Sequence, residues 1–244
     1  MIDAAKIGGI GASEASPLFA KDFQKSQGYK TLLINKVYEM LSGEKPSFTN
    51  SALEHGINTE QEAFDYLHEN IYPNSTLQSS ESFFKEDGMW ATPDVIIGDN
   101  NALIDIKCPI SQRTYFSNIA RISKNYLVQA HWQMYCTGIR EHSFFYYLAP
   151  SVSGLSEVKW AEKRVQVDEF MLNDIPLKFQ AFKEDRNDLF DRLFTIDFIN
   201  NEEFYELNLS HKVTPLKNKG SIASWNSTNV VSYDDELYFK ELVV

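Results

Sequence analysis

Four side chains in the first two-thirds of this chain could share one reaction: Asp94, Asp105 and Lys107, from the segments ATPDVIIG and LIDIKCP, and Glu60, from EHGINTEQEA. Carboxylates brought together repel unless a cation lies between them, and an oxygen donor set without imidazole or thiolate suits magnesium or manganese better than zinc. A lysine beside such a pair can orient an attacking water or offset charge that builds on a phosphoryl group. The chemistry this predicts is phosphodiester hydrolysis with two magnesium ions per site, for which manganese substitutes. A D-x-K tripeptide alone occurs on many surface strands. The expectation rests on three local patterns that converge.

The first pattern is a hairpin. Strand-like runs over Met89–Ile97 and Ala102–Lys107 flank Gly98, Asp99, Asn100 and Asn101, which is turn chemistry. A turn centred between Asp99 and Asn100 sets Asp94 opposite Asp105, with Cβ atoms roughly 4.5–5.5 Å apart. The strand period of two gives the second pattern, with Asp105 and Lys107 on one face and Ile104 and Ile106 on the other. The third is a helix capped by Thr49 or Asn50, with Leu53, Ile57, Phe64, Leu67 and Ile71 as a core stripe and Glu60 in its middle. An unpaired carboxylate there would be costly to bury, so Glu60 needs a cation or a hydrogen-bond partner.

Around these elements the pattern continues. An earlier helix carries Leu32, Leu33, Val37, Met40 and Leu41 and stops at Gly43. Helical character runs from Pro109 to Gly138, with Tyr126, Gln129 and Gln133 on one side of its last turns. Strands follow at His142–Leu148 and Val158–Val167, and from about Asp168 the signals weaken to helix and turn. The aromatic run Phe144, Phe145, Tyr146 and Tyr147 reads as sheet core rather than a base-stacking platform.

Composition narrows the class. The 244 residues with 43% hydrophobic content suit one domain spanning 1–244, with a catalytic core over about 6–167 and an elaboration over about 168–244. No apolar run reaches bilayer length and no secretory signal opens the chain, so a cytoplasmic protein without membrane contact is expected. Two cysteines, Cys108 and Cys136, make no disulfide framework, and the five histidines show no ligand spacing. A net charge of −11 argues against nonspecific coating of nucleic acid, which needs phosphate neutralisation. Between Leu103 and Arg140, however, Lys107, Arg113, Arg121, Lys124 and Arg140 face the single acid Asp105, which leaves room for a local basic surface. The acidic stretch Glu184 to Glu206 reads as a solvated face or a partner contact.

The segments ATPDVIIG and LIDIKCP resemble the motif pair of the PD-(D/E)xK nucleases. Together with IGGIGASEAS, EHGINTEQEA, LVQAHWQMYCTG and HSFFYYLAP in this order, they resemble the phage lambda exonuclease family of viral recombination nucleases over about residues 6–150. The resemblance implies an α/β fold with a central mixed sheet flanked by helices. It makes Asp94, Asp105 and the main-chain carbonyl of Ile106 metal ligands, Lys107 the catalytic lysine, Glu60 the helix glutamate near the second metal, and Gln129 a supporting glutamine. Asp105 is an aspartate where close relatives carry glutamate. The resemblance also places Lys6, Ser13 and Thr92 at a DNA 5′ phosphate, with Lys6 where relatives have arginine. Leu53, core by its helical stripe, falls where the family has a residue that wedges apart the terminal base pair.

The activity so implied is 5′-to-3′ digestion of double-stranded DNA ends by a three-fold ring, leaving 3′ overhangs for a single-strand annealing partner. Two other readings use the same residues: an endonuclease of restriction or resolvase type, and a DNA-binding protein whose acids are structural.

Overall fold

The computed structural model describes residues 4–45, 50–79, 81–85, 88–98, 102–154 and 157–198. Two sheets form the centre. The larger contains β2 (Leu77–Ser79), β5 (Val95–Ile97), β6 (Ala102–Lys107), β7 (Glu141–Leu148) and β8 (Lys159–Arg164), in the order β2-β5-β6-β7-β8. Only β6 and β7 run parallel; the other neighbours are antiparallel. The smaller sheet has the order β1-β4-β3, from β1 (Ile10–Gly11), β3 (Phe83–Lys85) and β4 (Met89–Ala91). The mixed sheet expected from the resemblance is therefore present.

The run expected as one strand over Met89–Ile97 is two. Pro93 has no N–H for a ladder, and the chain leaves the small sheet at Ala91 and enters the large one at Val95. The expected hairpin register holds all the same: Val95 pairs with Ile104 and Ile97 with Ala102, which sets Asp94 across from Asp105.

Helices cover both faces of the large sheet: α1 (Gln27–Ser42), α2 (Ser51–Tyr66), α3 (Gln112–Ala120), α4 (Lys124–Thr137), the single turn α5 (Pro150–Ser153) and α6 (Glu169–Phe198). Alternation along β7 splits the aromatic run between two cores. Phe144, Tyr146 and Leu148 join Trp132 of α4, Leu33 of α1 and Phe179 of α6. Phe145 and Tyr147 join Ile104, Ile106 and, from α2 and the turn after it, Ala63 and Leu67. All four aromatics are buried, as expected of sheet core. Helix α1 ends where glycine permits, at Gly43 with φ 69°. The single helical region expected over 109–138 is broken at Arg121–Ser123, where the Ser123 hydroxyl caps α4 by accepting from the Tyr126 N–H.

Helix α2 corrects two expectations. Asn50 caps it, accepting from the Leu53 N–H, while Thr49 lies outside the described residues. Its stripe is core only in the second half: Ala63 and Leu67 are buried, but Leu53 is 46% and Ile57 63% exposed, and Glu60 is exposed with them. The helix approaches the sheet at its C-terminal end and leaves its first two turns in solvent, so Leu53 is not a core residue and Glu60 bears no burial cost.

The thirty-residue α6 was read only coarsely from the sequence; Pro176 inside it and its mixed polarity hide the period. It ties down the N-terminus. Arg186 donates to the Gly8 carbonyl at 2.6 Å, and Asp185 accepts from Gln24 and from the Tyr29 hydroxyl. The acidic stretch is thus in part a contact surface, and its residues beyond 198 lie outside the described ones. The N-terminal strand also needs its glycines: a Cβ on Gly9 would lie 2.3 Å from the Gly88 carbonyl oxygen. Buried Lys36 fixes the same segment through Glu14 at 3.0 Å and Glu39 at 2.8 Å, and Glu39 accepts from the Gly8 N–H. Among the described residues no helix is long and apolar enough to cross a membrane.

Candidate active site

Asp94 leaves Pro93 at the mouth of the hairpin, and its Oδ2 accepts the Ile106 N–H at 2.7 Å. In an extended residue the N–H and C=O project to the same side of the strand, so the Ile106 carbonyl also faces the Asp94 side. Asp105 is fully buried on the opposite face of β6 from Ile104 and Ile106, and Lys107 Nζ reaches its Oδ2 at 3.4 Å. The geometry therefore joins Asp94, Asp105, Lys107 and the Ile106 backbone.

Electrostatics show what the pair lacks. Burial first, and then the Asp105 carboxylate and more distantly Glu60, push Asp94 up from 3.8 to about 7, against the opposing pull of Lys107 and the Ile106 N–H. Burial alone would pull Lys107 down, but the carboxylates of Asp105 and Asp94 outweigh it and hold the ammonium above its usual range. Two acids that cannot both ionise comfortably, with oxygen donors only, fit magnesium, which binds through one or two carboxylates and keeps several waters. Glu60 is exposed and its charge reaches Asp94; among the described residues no group of three or more His, Cys, Asp or Glu side chains closes into a metal cluster. Cys108, beside the lysine, is a free thiol pushed up to about 12 by burial and then by Glu60 and Asp94, so it carries no thiolate at neutral pH.

Lys107 Nζ lies 5.3 Å from the Tyr126 ring and 5.7 Å from that of Phe144, a wall that restricts where the ammonium can point. The glutamine that touches the acids is Gln133, whose Nε2 donates to Asp105 Oδ1 at 2.8 Å. Gln129, half-buried one turn earlier on the same side of α4, is not among the Asp105 partners. The sequence placed both glutamines on one side and gave no means to choose between them.

At the other end of the Thr92-Pro93-Asp94 segment, Lys6 Nζ donates to Ser82 Oγ at 2.7 Å, and Ser82 Oγ lies 2.8 Å from Thr92 Oγ1. Lys6 also sits 4.4 Å above the Trp90 ring. Lys6 and Thr92 thus share a cluster with a serine that sequence reasoning missed. Extending the β3–β4 register by one residue sets Ser82 across from Thr92, a signal visible only once those strands are paired. Ser13 is exposed in the short turn Ala12–Glu14, where Glu14 takes the Gly11 N–H, and no long helix starts at Ser13.

A mixed sheet that carries paired acids and a lysine on neighbouring strands, with helices on both faces, is the fold of solved alkaline and phage-related exonucleases. Within it, the chain belongs to the family of YqaJ-like viral recombinase domains, whose model matches residues 3–140. No curated protein matches the sequence. Among solved structures, the chain is similar to the alkaline exonuclease LHK-Exo from Laribacter hongkongensis, with 22% identity, TM-score 0.65, and 79% of this chain and 94% of that one covered. The same enzyme in complex with dAMP matches at 23% identity and TM-score 0.65, covering 78% and 93%. A phage-related exonuclease from Haemophilus somnus 129PT matches at 12% identity and TM-score 0.61, covering 77% and 95%. At these identities the likeness is one of fold.

Proposed function

We propose that this protein is a magnesium-dependent exonuclease that digests double-stranded DNA from 5′ ends and leaves 3′ single-stranded overhangs for recombination by strand annealing. The observation that carries the reading is the pair of half-buried Asp94 and buried Asp105 with Lys107 on the same face as Asp105, in a chain of the viral recombinase family.

Asp94, Asp105 and the Ile106 carbonyl would hold the first magnesium, with Glu60, exposed and near enough to act on Asp94, facing a second. When bound, magnesium supplies charge neutralisation at the scissile phosphate and acidifies the attacking water; manganese substitutes. Lys107, kept protonated and walled by aromatic rings, orients that water and offsets the charge of the transition state. Gln133 supports this arrangement from α4 by donating to Asp105 Oδ1, with Gln129 one turn earlier on the same side of the helix.

Lys6, Ser82 and Thr92 offer one cation and two hydroxyls to a terminal 5′ phosphate, two residues from Asp94, with exposed Ser13 as a further contact. Lysine contacts such a group as a point charge, where arginine would grip it with two bonds. Leu53, exposed on the first turn of α2, is free to wedge into the terminal base pair. The complex of the similar LHK-Exo with dAMP supports a deoxynucleoside monophosphate as product.

The assembly proposed is a three-fold ring in the host cytoplasm, with DNA threaded past exposed Arg113, Arg121, Lys124 and Arg140 and a single-strand annealing protein as partner. Sedimentation should give the mass of a trimer. Incubation with linear and circular duplexes in magnesium tests the activity: linear DNA should vanish while circles persist, and cleavage of circles would show an endonuclease.

A further inference from the structure

His142 opens the buried part of β7 and is 3% exposed. Its Nε2 lies 2.5 Å from Gln133 Oε1. On its other side Gln133 faces Asp105 through Nε2. The amide can satisfy the carboxylate only with its nitrogen, because an oxygen there would repel it. That leaves the amide oxygen for His142, which must then carry its proton on Nε2. The imidazole Nδ1 holds the lone pair and is buried with no hydrogen-bond partner among the described residues. Burial holds the ring neutral, its pKa pushed down to about 4 although the Asp105 charge opposes the fall. The Phe144 ring packs on it at 4.9 Å.

An apolar residue would fill this position without an orphaned nitrogen, so the one bond His142 does make needs a reason. The site provides one. Without the imidazole N–H, the Gln133 amide loses one of the two bonds that fix its orientation. We propose that His142 is a positioning residue which, through Gln133, keeps an amide N–H on Asp105 Oδ1 and so holds the carboxylate aimed for the divalent cation. The inference rests on the reading of Asp105 as a magnesium ligand. The chain His142–Gln133–Asp105 crosses β7, α4 and β6, and so couples the core to the metal site.

The test is calorimetric titration of magnesium chloride into the full chain without DNA, with thermal melts alongside. His142→Phe should weaken magnesium binding about tenfold, the usual effect of removing a group that orients a metal ligand. His142→Gln, whose amide N–H can reach the position of Nε2, should restore most of it. Gln133→Met should weaken binding to a similar degree, and His142→Phe should add little on that background, because both act through one contact. Folded His142→Phe or Gln133→Met with wild-type magnesium affinity would overturn the inference and leave the nuclease reading standing. Additive losses in the double variant would also overturn it. A wild-type chain that binds no magnesium would remove both.

Discussion

The backbone N–H of Ile106 donates to Asp94 Oδ2 at 2.7 Å, so the first acid of the site is anchored to the strand that carries the second. This bond holds Asp94 beside the strand of Asp105 and Lys107.

The burial of Asp94 and its repulsion from Asp105 should appear in the stability of the metal-free protein. Asp94 is raised from 3.8 to about 7, so the folded state holds this proton more tightly than the unfolded chain does. Its contribution to folding is therefore full below pH 4 and is lost as pH rises through about 7. Asp94→Asn keeps an oxygen for the Ile106 N–H and removes the charge. It should raise the melting temperature at pH 8, by an amount that shrinks toward pH 5, while abolishing hydrolysis. Magnesium should stabilise the wild type and not the variant. A variant that melts lower than wild type at pH 8 would count against the repulsive pair.

Lys107→Ala should lose about 100-fold to 10,000-fold in turnover with duplex affinity nearly unchanged, as expected of a group acting chiefly in the transition state. Single-turnover digestion at saturating protein separates the two quantities. A weakened affinity with normal turnover would assign Lys107 to binding instead.

At the DNA end, a 5′-phosphorylated duplex should be digested faster than its 5′-hydroxyl counterpart. Ser82→Ala and Lys6→Ala should each narrow that ratio, Ser82→Ala by about fivefold, the worth of one hydrogen bond, and added salt should narrow it further. The comparison is made by initial rates on duplexes that differ only at the terminus. Equal rates on both ends in the wild type would dissolve the pocket formed by Lys6, Ser82 and Thr92.

Because Leu53 is 46% exposed, Leu53→Ala should change stability by no more than about 0.5 kcal/mol. If it splits the terminal pair, the same variant should slow digestion of blunt duplexes and spare those with unpaired 5′ ends. A large drop in melting temperature would return Leu53 to a packing role.

The hairpin register and the shared face of Asp105 and Lys107 were legible in the sequence because turn residues and a period of two act locally. What misled was tertiary. The stripe of α2 is apolar along its length, yet only its second half meets the sheet, so Leu53, Ile57 and Glu60 were placed inside. Gln129 and Gln133 lie four apart on one face, and only the depth of Asp105 decides which of them touches it. Pro93 within an apparent strand was the one local sign of the change of sheet between Ala91 and Val95. Ser82 gave no sign by itself: Lys6 comes from a distant segment, and Thr92 falls opposite it only once β3 and β4 are paired.

Strand polarity tests the central claim most directly. A linear blunt duplex phosphorylated at both 5′ ends, labelled internally on one strand at a time, is incubated with the protein in magnesium and sampled before complete digestion. The expected result is loss of each strand from its 5′ end, with release of mononucleotides and survival of the 3′-terminated single strands. Digestion from 3′ ends, internal cuts, or hydrolysis that persists in Asp105→Ala would contradict it.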